Sequence, residues 1–260
     1  MSEVRLAATL DGPPDAPVVA LGHSIGTSSG VWDRVVPALG GRFRVLRFGL
    51  RGHGAPGGRS PAPRGPYTIA ELGTDVLATL NSFDLDQVAF CGVSLGGMVG
   101  MWLAANAPDR IGRLVLCCTS AYLPPASLWT DRAAAARDAG MASLTDGVVA
   151  RWFTPAFPQR EPEAAAAVAD MLTNTDPEGY AGCAEAIAAM DLRPMLPDIT
   201  APTLVVAAAE DPATPPWHGA QIARSIPGAR LTVIRGTSHL APYETPGPVG
   251  AAITAHLSRA

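Results

Sequence analysis

The 260-residue sequence contains no lysine; all 19 of its basic residues are arginine. A nucleotide-binding phosphate loop, a pyridoxal-phosphate site and any Schiff-base mechanism each need a lysine amine, so these three classes are excluded. With Ala, Gly, Pro and Arg abundant, the absence reads as codon bias rather than function. Charged residues are few, at 16%, and a net charge of −4 leaves no electrostatic footprint for nucleic acid or an anionic membrane surface. No stretch of about 18 apolar residues occurs, so nothing reads as a membrane span. Residues 1–10 lack a positive cluster followed by an apolar block, the mark of a signal peptide. The four cysteines, Cys91, Cys117, Cys118 and Cys183, have neither C-x-x-C spacing nor histidine partners. They read as reduced, mostly buried small hydrophobes of a cytoplasmic protein, and no metal site is expected. The glycines at 92, 96, 97 and 100 do not follow the dinucleotide pattern, so no cofactor is expected either.

What is present is organised around residues 88–98, Val-Ala-Phe-Cys-Gly-Val-Ser-Leu-Gly-Gly-Met. An apolar strand runs into a Gly-x-Ser-x-Gly turn, and a helix pattern follows to about residue 107, ahead of Pro108. Such a turn holds a serine hydroxyl out over a sheet and aims free helix N–H groups at what it attacks. Strand patterns at 4–10, 18–21, 43–48, 87–91, 113–118, 203–208 and 230–234 alternate with helix patterns at 31–39, from 68, and at 249–257. This rhythm predicts an α/β fold, a mostly parallel central sheet with helices on both faces. Between 120 and 197 the rhythm breaks into alanine-rich helices at 132–142, 163–172 and 180–190. Trp129, Trp152, Phe153 and Phe157 are too many aromatics for a solvated linker. Residues 120–197 are therefore expected to form a helical cap on a core of 1–119 and 198–260.

A serine nucleophile needs a base, and the base needs an orienting acid. Asp211 follows one predicted strand end and His239 follows the next. The order Ser94, Asp211, His239 is the one that a Gly-x-Ser-x-Gly elbow predicts, with Glu210 the nearest rival for the acid. An oxyanion hole needs two N–H groups; Leu95 follows the nucleophile, and Ile25 lies in the loop after the second strand. Ser24 either adds a hydroxyl there or is a plain turn residue. His53 reads as a structural loop histidine, the role of His23 is open, and His218 and His256 read as surface or helix residues. The reaction class is acyl transfer by a serine hydrolase.

The chain resembles the α/β-hydrolase superfamily, and within it the 3-oxoadipate enol-lactonases. The resemblance rests on Ser24-Ile25-Gly26-Thr27-Ser28, Arg51-Gly52-His53-Gly54, and Phe90-Cys91-Gly92-Val93-Ser94-Leu95-Gly96-Gly97-Met98. It extends to Arg151-Trp152-Phe153-Thr154-Pro155 and Ser238-His239-Leu240-Ala241-Pro242. It implies a small-molecule substrate, a five-membered enol lactone with a carboxylate arm, opened by Ser94 to 3-oxoadipate in aromatic (protocatechuate or catechol) catabolism. Arg132 and Arg151 are then candidates for the carboxylate, with Trp129 and Trp152 as apolar walls. Two positions depart from the family pattern: Gly49 stands where an acid is usual, which predicts a looser loop or a changed substrate, and His23 replaces a smaller polar residue. Related readings are an esterase or lactonase of secondary metabolism, a cofactor-free perhydrolase of haloperoxidase type, and a ligand receptor on a hydrolase fold. The oligomeric state is not legible.

Overall fold

The apolar runs become the strands of one seven-stranded sheet in the computed structural model, which describes residues 4–56 and 58–259. The outermost residues of the expected core, 1–3 and 260, lie outside that range. In chain order the first half comprises β1 (Ala8–Asp11), β2 (Val18–Gly22), α1 (Val36–Leu39), β3 (Arg44–Phe48), and a small hairpin of β4 (Gly54–Ala55) and β5 (Gly58–Arg59). It continues with α2 (Ile69–Ser82), β6 (Val88–Val93), α3 (Leu95–Asn106) and β7 (Ile111–Cys117). Five helices follow, α4 (Ala126–Ala139), α5 (Thr145–Val149), α6 (Ala156–Arg160), α7 (Pro162–Thr173) and α8 (Pro177–Ala189). The chain then re-enters the sheet as β8 (Thr203–Ala208), α9 (Pro216–Ser225), β9 (Arg230–Ile234), α10 (Ala241–Glu244) and α11 (Pro246–Leu257). The sheet order is β1-β3-β2-β6-β7-β8-β9, and only the β1–β3 pair is antiparallel. This is the expected α/β architecture.

Several boundaries differ from the sequence patterns for local reasons. The first strand covers only Ala8–Asp11, because the amides of Val4 and Ala7 donate to the side chains of Asp75 and Ser60 instead of to a strand. The 31–39 helix splits into a 3-10 turn at Ser29–Trp32 and the short α1, whose Pro37 has no N–H to extend the ladder backwards. Helix α2 starts where expected: Thr68 Oγ1 accepts from the Glu71 amide at 3.1 Å, and Glu71 accepts from the Thr68 amide at 2.8 Å. All four cysteines are buried and free, and burial pushes their thiols up. His218 and His256 are not at the surface. Both sit on helices but point inward, His218 Nδ1 against Ser120 Oγ at 2.7 Å and His256 Nε2 on the Pro202 carbonyl at 3.1 Å.

Among the described residues, the tightest backbone-to-backbone approach at a glycine lies where β6 turns into α3. A Cβ on Gly92 would run into the Gly96 carbonyl, and one on Gly96 into the carbonyl of Gly22 on β2. The sheet and helix thus touch backbone to backbone. Replacing Gly96 by Ala is expected to lower the unfolding free energy by about 1–3 kcal/mol, as overpacked backbone contacts do, read from the urea midpoint.

Candidate active site

Ser94 occupies the residue between β6 and α3 with φ 55° and ψ −117°, a conformation that costs strain for a non-glycine residue and persists only when its surroundings enforce it. They do so here. The Ser94 amide donates to the Cys117 carbonyl at 3.0 Å, and its own carbonyl accepts from Thr119 Oγ1 at 2.7 Å. The side chain faces a small cavity of about 30 Å³ at the carboxyl ends of the strands. Ser24, Ile25 and His239 share that cavity from the sheet side, while Trp129, Arg132, Arg151, Trp152 and Tyr180 close it from the inserted helices and their connections. Ser24, Ile25, Trp129, Arg132 and Trp152 are thus brought to one space with Ser94 and His239.

Asp211 stands behind His239, buried, and its Oδ2 accepts from His239 Nδ1 at 2.9 Å. Its other oxygen accepts from the Ala213 and Thr214 amides at 2.7 and 2.9 Å, and Thr214 Oγ1 donates to Oδ2 at 2.7 Å. Burial alone would raise this carboxyl, but the neighbouring His239 and the donors from Thr214 outweigh it and hold it below the usual range. An ionised Asp211 fixes the Nδ1–H tautomer and leaves Nε2 of His239 free to take a proton. The Glu210 side chain is exposed, so the geometry favours its neighbour as the acid. Among the described residues no hydrogen bond joins Ser94 Oγ to His239; the two meet across the cavity they both line.

The two candidate oxyanion donors are free: among the described residues neither the Ile25 nor the Leu95 N–H has a protein acceptor. Leu95 opens α3, where first-turn amides lack intrahelical partners. The Ile25 amide is aimed from the far side of its own peptide plane. The Ser24 carbonyl accepts from His23 Nδ1 at 2.8 Å, Thr27 Oγ1 at 2.9 Å and the Thr27 amide at 3.1 Å. Because C=O and N–H oppose each other in a trans peptide, three donors on that oxygen turn the Ile25 N–H the other way.

His23 and His53 brace this loop as a pair, with ring centroids 4.9 Å apart. Each Nδ1–H donates to a carbonyl, of Ser24 and Arg51 respectively, and each Nε2 accepts a backbone amide, Leu50 for His23 at 2.8 Å and Gly26 for His53 at 2.9 Å. Both rings must be neutral to accept. Burial lowers His23 to about 3, helped by His53, and lowers His53 to about 4. The open role of His23 is thereby settled as a brace, and the structural role expected for His53 fits its contacts.

At Gly49 the expectation of a loosened loop is not met. A Cβ there would meet the His53 carbonyl at 2.5 Å, so the turn fills the space of a side chain, and Ser60 Oγ donates to the Gly49 carbonyl at 2.6 Å. Arg51 is locked to buried Asp75 at 2.5 Å.

Three contributors were not legible as such. Thr214 supports Asp211, and its spacing three residues on was the available signal. Glu244 is buried on α10; one oxygen accepts from the Thr154 amide at 3.0 Å and from Thr154 Oγ1, the other from the Ser238 amide at 2.7 Å and Thr237 Oγ1 at 3.2 Å. It ties the His239 loop to the segment carrying Trp152. Tyr180 on α8 reaches the cavity with no sequence signal at all.

A serine at a strand-to-helix elbow and an Asp-supported histidine on one cavity, with the free Ile25 and Leu95 amides in the adjoining loop and helix turn, can carry out acyl transfer to water. The chain belongs to the alpha/beta hydrolase fold family, which it matches over residues 17–246. It is similar to 3-oxoadipate enol-lactonase 2 of Acinetobacter baylyi, at 35% identity over 99% of this chain and 94% of that protein. Among solved structures it resembles the enol-lactonase from Burkholderia xenovorans LB400, with 40% identity, a TM-score of 0.94, and coverage of 98% and 97% of the two chains. It also resembles a hydrolase from Pseudomonas aeruginosa PA01, with 44% identity, a TM-score of 0.93, and coverage of 98% and 95%. No helix among the described residues is long and apolar enough to cross a membrane.

The neutral histidine pair makes stability fall in acid. The unfolded chain binds protons at these rings below the ordinary value of 6.5, while the folded rings resist until about 4 and 3. The stability they contribute is complete above pH 6.5 and is lost as pH falls toward 3. Urea midpoints measured from pH 7 to 4 should fall, and His53→Gln should flatten that dependence. His53→Ala, which strands the Gly26 amide, should lower kcat by about 10–100-fold with KM little changed, the signature of an interaction made in the transition state.

Proposed function

We propose that the protein hydrolyses 3-oxoadipate enol-lactone to 3-oxoadipate, with Ser94 as nucleophile, His239 as base and then acid, and Asp211 as the orienting acid. The observation that carries this reading is the small cavity lined together by Ser94, the Asp211-supported His239 and Arg132. The comparisons support a hydrolase, and the enol-lactonase relatives support this substrate. In the mechanism, His239 Nε2 takes the Ser94 proton as Oγ adds to the ring carbonyl, and the Ile25 and Leu95 amides receive the oxyanion. Its collapse breaks the ring C–O bond and expels an enolate, which takes the proton held on His239 Nε2 and becomes the ketone, leaving His239 neutral again. Water, deprotonated by His239, then adds to the acyl-Ser94 ester, and the proton returns to Oγ as the acid leaves. Ser24 lies beside the oxyanion loop with its hydroxyl free to assist.

Residues 120–197 act as a cap over the core of 1–119 and 198–260, and the cap supplies the substrate's anionic recognition. Arg132 is half-buried, lies 4.7 Å over the Trp129 ring, and among the described residues has no carboxylate partner. Arg151 is spent in part on the Gly147 carbonyl at 3.1 Å. Arg132 is therefore the better match for the carboxylate arm, with Trp129 and Trp152 as walls. A cytoplasmic enzyme of aromatic catabolism suits this substrate.

Steady-state hydrolysis of the lactone, followed by loss of its ultraviolet absorbance, tests the reading. Wild type should turn it over efficiently, Ser94→Ala should lose at least about 10³-fold in kcat, and Asp211→Asn about 10⁴-fold. Simple aryl esters opened through Ser94 while the lactone is ignored would leave the nucleophile standing and overturn the substrate.

A further inference from the structure

Tyr180 is fully buried on α8, and among the described residues its hydroxyl proton has no acceptor; its polar neighbour, the Arg132 guanidinium, can only donate to it. A buried polar group without a partner is costly and uncommon, and in an enclosed site it marks a place where a ligand atom completes the set. The hydroxyl belongs to the residue that lines the Ser94 cavity next to Arg132. An edge carbon of its ring lies 3.1 Å from where a Cβ on Gly26 would be, so the phenol abuts the loop that carries Ile25. Burial pushes the phenol up, with Arg132 only partly opposing, so the group keeps its proton and stands as a donor.

Two donors therefore converge, a guanidinium without a carboxylate partner and a phenolic O–H without an acceptor. A ligand group that satisfies both must accept from both donors and carry negative charge. A carboxylate fits, whereas a neutral ester or ketone leaves the positive charge uncompensated. We propose that Tyr180 is a specificity-determining residue whose hydroxyl, together with Arg132, grips the substrate's carboxylate and selects short-armed acidic lactones over neutral ones. This rests on the lactone reading above. The arm is short because Tyr180 packs directly on the loop that carries Ile25.

The test compares wild type, Tyr180→Phe and Arg132→Gln on the lactone acid and on its methyl ester. A second pair, monophenyl succinate and phenyl acetate, makes the same comparison without the lactone. Wild type should prefer the acidic member of each pair. Tyr180→Phe should raise KM for the acidic member by about tenfold, hold kcat within about threefold, and leave the neutral member unchanged. Its melting temperature should be equal or higher, since the substitution removes an unpartnered hydroxyl and keeps the ring. A wild type that does not discriminate in either pair overturns the carboxylate reading and this proposal together. A wild type that discriminates, with Tyr180→Phe discriminating equally, overturns the role of Tyr180 alone. Equal loss on both members, with a lower melting temperature, assigns Tyr180 a structural role and also overturns it.

Discussion

Backbone touches backbone where β6 enters α3, and the site is built outward from that contact. Gly92, Gly96 and Gly22 allow strand and helix to approach so closely that the intervening residue has no relaxed conformation, and Ser94 takes up the mismatch at positive φ. The same closeness brings the His23 carbonyl within 2.9 Å of the Gly96 amide, which sets the oxyanion loop against the first turn of α3. The candidate nucleophile and both candidate oxyanion amides are thus placed by one crossing. The histidine and aspartate come from later strands of the same parallel sheet, whose carboxyl ends all lie on one edge.

Residues that follow a strand directly were the easiest to read. Ser94, Asp211 and His239 each stand a few positions beyond an apolar run, so local pattern located them in the chain and sheet topology in space. What escaped were contacts made at long separation. His23 and His53 bridge between loops 27 residues apart, and nothing in Arg-Gly-His-Gly says that its imidazole accepts the Gly26 amide. His218 and His256 sit on helices, but the inward face was not legible because Trp217 beside His218 is itself 59% exposed. Helix α9 has no counterpart among the sequence patterns, although Pro216 stands at its first position, where proline suits a helix.

The inserted helices take a different approach to burial from the sheet. The sheet buries nearly continuous aliphatic runs, whereas the cavity's upper wall mixes two tryptophans, two arginines and a tyrosine. That mixture gives an apolar, water-poor space with charge at a defined place, where an electrostatic interaction is stronger than in bulk water. The absence of lysine sharpens this: guanidinium is planar, stays charged, and stacks on an indole as Arg132 does on Trp129.

Glu244 gives the site a mechanical property. Its carboxylate holds Thr154 with one oxygen and Thr237 and Ser238 with the other, and the Leu240 amide adds a bond to the Trp152 carbonyl at 2.9 Å. The stretch 152–154 and the loop bearing His239 are in effect one plate. The bonds tie Trp152 to the imidazole loop, whereas α4 and α8 are joined to each other through Arg137, Glu178 and Glu185. The cavity that Ser94 lines is thus bounded by two separately braced pieces, one carrying Trp152 and His239 and the other carrying Trp129 and Tyr180.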